Sequence, residues 1–377
     1  MKQIFVQAQA DHIESLFKAS PVAAVEELVW NALDADAKEV QVDLITNGLG
    51  AVTAIRVSDD GTGIDILQAD RTFGSLGGSW KRETAATTPG KRRLHGRHGR
   101  GRFKAFALGR HVEWRTTMRA GGELLSFTMS GDAERPGVFE LEASTPGPAT
   151  GTEVYVDNVA SNCDVLLGTV ETVETLASKF ALYLKSYPSV RIYFNGLPVT
   201  PIIVQRGEKE YPIRLESGAE AKLRIIEWKR RFSGSGRLVW CGRDGFQLHE
   251  QSAQVRSGGT AFTAYLIADR FIELARENAL ILDELNPEVR AYLDAAKAQL
   301  KAHFAAANAN KAESMISGWI DDGIYPYDED DASEERQAFD KLAVSTAMKF
   351  EDFASLGAGD KKVVFSLVKA ALKLKKD

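Results

Sequence analysis

Cysteine is almost absent from this chain of 377 residues: Cys163 and Cys241 are the only two, and they lie far apart. Two distant thiols argue against a disulfide framework and a cysteine metal site, and they fit a reducing compartment. No run approaches the roughly 18 uncharged apolar residues needed to cross a bilayer. The opening stretch MKQIFVQAQADHIESL holds no apolar signal core. The expectation is a cytoplasmic protein with no membrane partner. Charge of one sign is also lacking, since 47 Lys and Arg face 52 Asp and Glu for a net −5. A generic nucleic-acid coat is therefore not expected. No G-x-x-x-x-G-K-[ST] occurs, so the chain is not a P-loop protein, and its glycine-rich segment does not fit a Rossmann fingerprint. What is present is ordinary globular composition, 44% hydrophobic and 26% charged, with length enough for two or three domains.

Local patterning predicts an α+β chain. Ser20-Pro21 reads as a helix start, with a capping hydroxyl and a first-turn proline, and Val22 to Ala37 reads as the helix. A short helix is expected before it at 12–18. Segments 40–44 and 54–58 alternate as half-buried strands around the turn Asn47-Gly48-Leu49-Gly50. Residues 73–101 are glycine-rich, basic and irregular. Strands follow near 111–117, 124–129, 138–142 and 152–156, then a helix at about 165–186. A second unit is read from Ser189, with strands near 211–215, 222–228, 237–241 and 262–268 and a helical pattern from 283 to 313. An acidic loop or linker follows at Asp328 to Asp331 with Glu334 and Glu335, and two helices close the sequence. The last run lacks a cap, which sets the expectation of a longer parent chain.

Four short segments carry chemistry. In the first helix, Glu27, Asn31 and Asp34 fall at i, i+4 and i+7, one face of an otherwise apolar cylinder. Alone, that is the wet side of any amphipathic helix, although Asn is a poor choice for a merely solvated position. The second segment, Asp59-Asp60-Gly61-Thr62-Gly63, directly follows a strand. A carboxylate there can accept from an exocyclic amine, and the glycines let backbone approach a flat ring. Taken alone it is a common turn, and it has no EF-hand glutamate. The third, His95 to Ala105, places Gly96, Gly99 and Gly101 ahead of a helix-like run, a source of clustered N–H donors for phosphate. The fourth, Gly151-Thr152-Glu153-Val154, begins a strand.

Together E-L-V-W-N-A-L-D-A, D-D-G-T-G-I, G-R-H-G-R-G-R-F and G-T-E-V-Y-V resemble, in order and spacing, the four boxes of the GHKL ATPases (gyrase, heat-shock chaperone, histidine kinase, MutL). The MutL, MORC and chaperone branches look nearest, and the resemblance covers roughly residues 10–200. It implies a Bergerat-type α/β sandwich over 1–188 with a lid at about 73–104, a ribosomal-S5-like α/β transducer domain over 189–312, and an acidic linker with a helical segment over 313–377. It further implies ATP and Mg2+ as ligands. Glu27 then matches the general base, Asn31 the residue holding magnesium to the phosphates, and Asp34 its support. Asp59 matches the carboxylate that reads the adenine amine, with Gly61 and Gly63 beside the base. Gly96, Gly99 and Gly101 match phosphate contacts, and Thr152 the adenine-side water network.

The lid carries Lys81, Arg82, Lys91, Arg92, Arg93, Arg97, Arg100, Arg102 and Lys104 against the single acid Glu83. Some of that charge can meet phosphate oxygens, while Lys91-Arg92-Arg93 reads as a solvated basic loop. In the second unit, Lys229, Arg230, Arg231 or Arg270 is the cation that the resemblance would return to the γ-phosphate. By the same resemblance, ATP closes the lid, drives homodimerisation, and makes a clamp on DNA or on a protein client. The alternatives are a nucleotide sensor with little turnover and a chaperone-like ATPase without a nucleic-acid role. A histidine kinase would need an upstream helix pair bearing the phospho-accepting histidine, a setting His12 lacks, and would not need Glu27. A type II topoisomerase would need a nucleophilic-tyrosine domain and an acidic metal module, neither visible in the sequence.

Overall fold

The computed structural model describes residues 17–66, 92, 101–145, 147–231, 235–243, 245–281, 285–328, 331–350, 353 and 355–374. The short helix read at 12–18 lies almost wholly outside them, as do most of the lid, Gly96 and Gly99. The architecture is α+β, two sheets and a helical C-terminal unit.

Helix α1 spans Pro21–Asp34, and its N-cap is Ser20, whose hydroxyl accepts from the Ala23 N–H at 3.3 Å. Strands β1 (Glu39–Thr46), β2 (Val52–Asp59), β3 (Gly109–Ala120), β4 (Glu123–Asp132), β5 (Phe139–Ser144) and β6 (Gly151–Val159) follow. With β7 (Arg191–Phe194) and β8 (Leu197–Pro198) they form one sheet of order β5-β4-β3-β6-β2-β1-β7-β8. Its inner face is the period-two apolar set, Val40 and Val42 on β1, Ile55 and Val57 on β2, Val154 and Val156 on β6. On the outer face charged pairs such as Arg56–Asp43 and Arg115–Glu153 stand in solvent. One wet face is usual for antiparallel sheets.

Helix α2 (Thr169–Ser186) covers the inner face together with α1; Trp30 of α1 meets Phe180 of α2 at 4.8 Å between ring centroids. Its other side meets a second sheet made of β9 (Gln205–Arg214), β10 (Glu220–Trp228), β11 (Arg237–Cys241), β12 (Gln247–Ser252) and β13 (Ala261–Ile267), in the order β12-β11-β13-β10-β9. The Tyr265 hydroxyl donates to the Ser178 carbonyl of α2 at 3.2 Å. Every residue of β13 is buried: alternate side chains join the first core through Ala261, Tyr265 and Ile267, and the second core through Phe262, Ala264 and Leu266. Both faces of this sheet are covered, which explains why β13 reads as a continuous apolar run.

Three sequence readings change. The segment at 191–198, read as opening the second unit, belongs to the first sheet: β7 runs parallel to β1 with Glu39 opposite Arg191, and Ile192 and Phe194 enter the first core. The second sheet starts at Gln205, after the short helix α3 (Pro201–Val204) and the hairpin between β7 and β8. The helix read to 313 does not stop there. After α4 (Arg270–Arg276), α5 runs from Pro287 to Asp321, carrying Tyr292 and Phe304 in the second core and Trp319 in a third. Of the acidic stretch read as a loop or linker, Asp328 and Asp331 lie outside any helix, but Glu334 and Glu335 enter one. Tyr325 donates to Asp340 at 2.6 Å and Arg336 to the Asp331 carbonyl at 2.7 Å, while Glu334 and Glu335 form the first turn of α6 (Glu334–Lys349). Carboxylates there favour the positive end of the helix dipole. Helix α7 (Ala358–Leu374) completes this unit through Phe365.

Candidate functional site

The turn after β2 sits against the C-terminal end of α1. The Thr62 N–H donates to the Ala35 carbonyl at 2.8 Å, and Asp60 accepts from the Lys38 and Glu39 N–H groups at 2.6 and 2.8 Å. Asp60 is thus consumed in fixing the turn. Asp59 takes one short bond, from the Gly61 N–H to Oδ1 at 2.8 Å. Burial pushes its carboxyl up to about 7, against the lowering effect of the Gly61 and Thr152 backbone bonds. A carboxyl half-ionised near neutrality at a strand end is suited to accept from a ligand amine.

The two glycines are sterically required. A Cβ on Gly61 would lie 2.6 Å from the Ala35 carbonyl oxygen. Gly63 has φ +76°, and its Cβ would stand 2.2 Å from the Thr117 carbonyl oxygen. Beneath it the buried Thr116 hydroxyl accepts from the Ile64 N–H at 2.9 Å and lies 3.1 Å from the Thr152 hydroxyl. Thr152 pairs directly across from Asp59. The sequence reading therefore brought Asp59, Gly61, Gly63 and Thr152 to one place, and it missed Thr116. The signal was there: Val112, Trp114 and Thr116 share the inward register of β3, so a buried polar residue interrupts an apolar face.

On α1, Glu27 is largely buried and pairs with Lys104, Oε2 to Nζ 3.0 Å. Asn31 is half-buried, and its side-chain amide takes no hydrogen bond from any described residue. Asp34 is buried at the helix end. Glu26, the neighbouring carboxyl, has a different environment: burial raises its pKa, opposed by Lys179 and a bond from Trp30. Among the described residues no cluster of three or more His, Cys, Asp or Glu forms a metal cage. A magnesium ion that keeps its waters and bridges phosphate oxygens needs only one protein oxygen, and the Asn31 amide, unbonded among the described residues, fits that need.

Gly101 opens a 3-10 helix, Gly101–Ala107, whose Phe103 and Ala105 are buried against α1. The continuous helix expected there is this tighter form. Arg92, read as part of a solvated loop, is buried instead. Its guanidinium donates to the Ala37 carbonyl at 2.8 Å and the Asp36 carbonyl at 2.6 Å, and pairs with the Asp36 carboxylate at 3.2 Å. The cause is the end of α1: Asp36 turns to φ 61°, and carbonyls beyond the helix need donors. Among the second-sheet cations, Arg230 is held by Glu174 at 2.7 Å and Arg270 by Glu288 at 2.8 Å. No helix among the described residues is long and apolar enough to cross a membrane.

Residues 19–135 match the family model described as "Histidine kinase-, DNA gyrase B-, and HSP90-like ATPase". No curated protein matches the chain. The matched stretch holds α1, the Asp59–Gly63 turn and the 3-10 helix, and stops before β6. Over these residues the chain is therefore similar to the GHKL-type ATPases, a likeness that supports ATP binding.

Proposed function

We propose that this protein binds ATP at the Asp59–Gly63 turn and hydrolyses it, with Mg2+ as cofactor. Glu27 orients and deprotonates the attacking water. Asn31 offers its amide oxygen to the metal, and Asp34 supports that end of the helix. Asp59 accepts from the adenine amine, Gly61 and Gly63 let the ring approach, and Thr152 with Thr116 orders water on the adenine side. Gly96, Gly99 and Gly101 donate N–H groups to the phosphates. The metal, when bound, neutralises developing phosphate charge. The observation that carries this reading is the seating of the turn on the C-terminal end of α1, through the Thr62–Ala35 bond of 2.8 Å, beside Asn31 and Asp34.

The test is ATP turnover with Mg2+ in the wild type and in Glu27→Ala. Loss of about a hundredfold or more is expected; unchanged turnover removes Glu27 from the chemistry. ATP-dependent homodimerisation into a clamp on DNA or a protein client, through an S5-like second domain, is the larger cycle proposed by resemblance. Light scattering with a non-hydrolysable analogue addresses it: a doubled mass is expected, and a strict monomer argues against the clamp.

A further inference from the structure

The ion pair between Glu27 and Lys104 joins the nucleotide helix to the residues that leave the glycine loop. Lys104 is not an ordinary surface lysine. Its neighbours Phe103 and Ala105 are 1% and 0% exposed, and Phe17 packs on Phe106 at 4.8 Å between centroids. The short helix shares the first core with α1, and the ammonium group is delivered to Glu27 Oε2 at 3.0 Å. The lysine side chain is 36% exposed and the glutamate 16%. Partly exposed pairs of this kind contribute little to stability, so stability is a poor reason for it. Its consequence is geometric. One carboxylate oxygen is held, and Oε1 takes no hydrogen bond from any described residue. Glu26, rotated by about 100° around the helix, takes a bond from Trp30 and lies in the field of Lys179 and, more weakly, of Lys104, so of the two adjacent carboxyls Glu27 is the one bonded directly to the segment after the glycine loop.

We propose that Lys104 is a positioning residue for Glu27, holding Oε2 so that Oε1 meets the attacking water. This rests on the reading of Glu27 as the general base. The experiment uses Lys104→Met, Lys104→Arg and Glu27→Gln in the full chain, with ATP turnover, the Kd of a non-hydrolysable ATP analogue, and the carbon-13 shift of the Glu27 carboxyl without nucleotide. Lys104→Met is expected to lower kcat about tenfold to a hundredfold, with KM and the analogue Kd within about twofold and the Glu27 carboxyl signal displaced. Lys104→Arg is expected to restore most of kcat. In the Glu27→Gln background, Lys104→Met is expected to add nothing, since both act on one step. A tenfold weaker analogue Kd with kcat kept makes Lys104 a phosphate ligand and overturns the proposal. An unmoved kcat and an unmoved carboxyl signal in Lys104→Met overturn it too, while leaving the base assignment intact. Only turnover unaffected by Glu27→Gln removes the base assignment itself.

Discussion

Two polar regions of the molecule handle charge in opposite ways. Beside the second sheet, the C-terminal end of α2 and strands β9, β10 and β13 enclose a cleft of about 870 Å³. Its cations are matched within the protein: Lys222 and Arg224 to Glu210 at 2.8 and 2.9 Å, Arg243 to Asp269 at 3.1 Å, Arg270 to Glu288 at 2.8 Å. The Lys222 and Arg224 partners hold the Glu210 carboxyl below its ordinary range, and Arg270 does the same for Glu288. At the turn after β2 the sign reverses. Asp59 is pushed up to about 7, and the Asn31 amide is unbonded within the described residues. A cleft can be large and charged yet already satisfied. A site that takes a ligand keeps polar groups that the fold itself leaves short of partners.

The largest expected effect separates buried from exposed pairs. Arg92→Ala strands the Asp36 carboxylate, both side chains being 8% exposed, and should cost about 3–5 kcal/mol in chemical denaturation. A loss below 1 kcal/mol would mean that the pair is not buried in solution. Next is Gly63→Ala, which forces a Cβ against the Thr117 carbonyl at φ +76°; about 2–4 kcal/mol is expected from the same measurement.

Much of this was legible because the site is built from local patterns. The i, i+4, i+7 spacing of Glu27, Asn31 and Asp34 and the glycines after Asp59 can be read without knowing the fold. Lys104 and Arg92 could not be given their partners, which lie 77 and 55 positions away; Thr116 stood out as a polar residue on an apolar register, but its partner at Ile64, 52 positions away, did not. Nothing in the alternation of Arg191 to Phe194 encodes a parallel partner at Glu39 to Val42. The extent of α5 was missed for a related reason. Its two halves are apolar toward two different cores, so no single stripe runs its length.

A third expectation concerns pH. The Asp59 pKa is raised from 3.8 to about 7 in the folded chain, so the folded state binds the proton more tightly than the unfolded one. The resulting penalty is absent below about pH 4, grows as pH rises, and is complete above about pH 7. Asp59→Asn should therefore raise the melting temperature of the nucleotide-free protein at pH 8 and leave it nearly unchanged at pH 4; equal shifts at both would contradict the assignment. The smallest effect belongs to the cleft. Lys222→Ala should change stability by about 0–1 kcal/mol and leave ATP turnover untouched, and a turnover defect would mean that the contrast between the regions is wrongly drawn.

The central claim is tested most directly by calorimetric titration of Mg-ATP into the wild type and Asp59→Asn at pH 7, in two buffers of different ionisation enthalpy. With Asp59 near half-ionised, binding should release about half a proton from it. In Asp59→Asn that release should vanish and affinity should fall about a hundredfold, because the amide oxygen stays with the Gly61 N–H and turns a donor toward the adenine amine. Equal affinity in the two proteins would contradict the account.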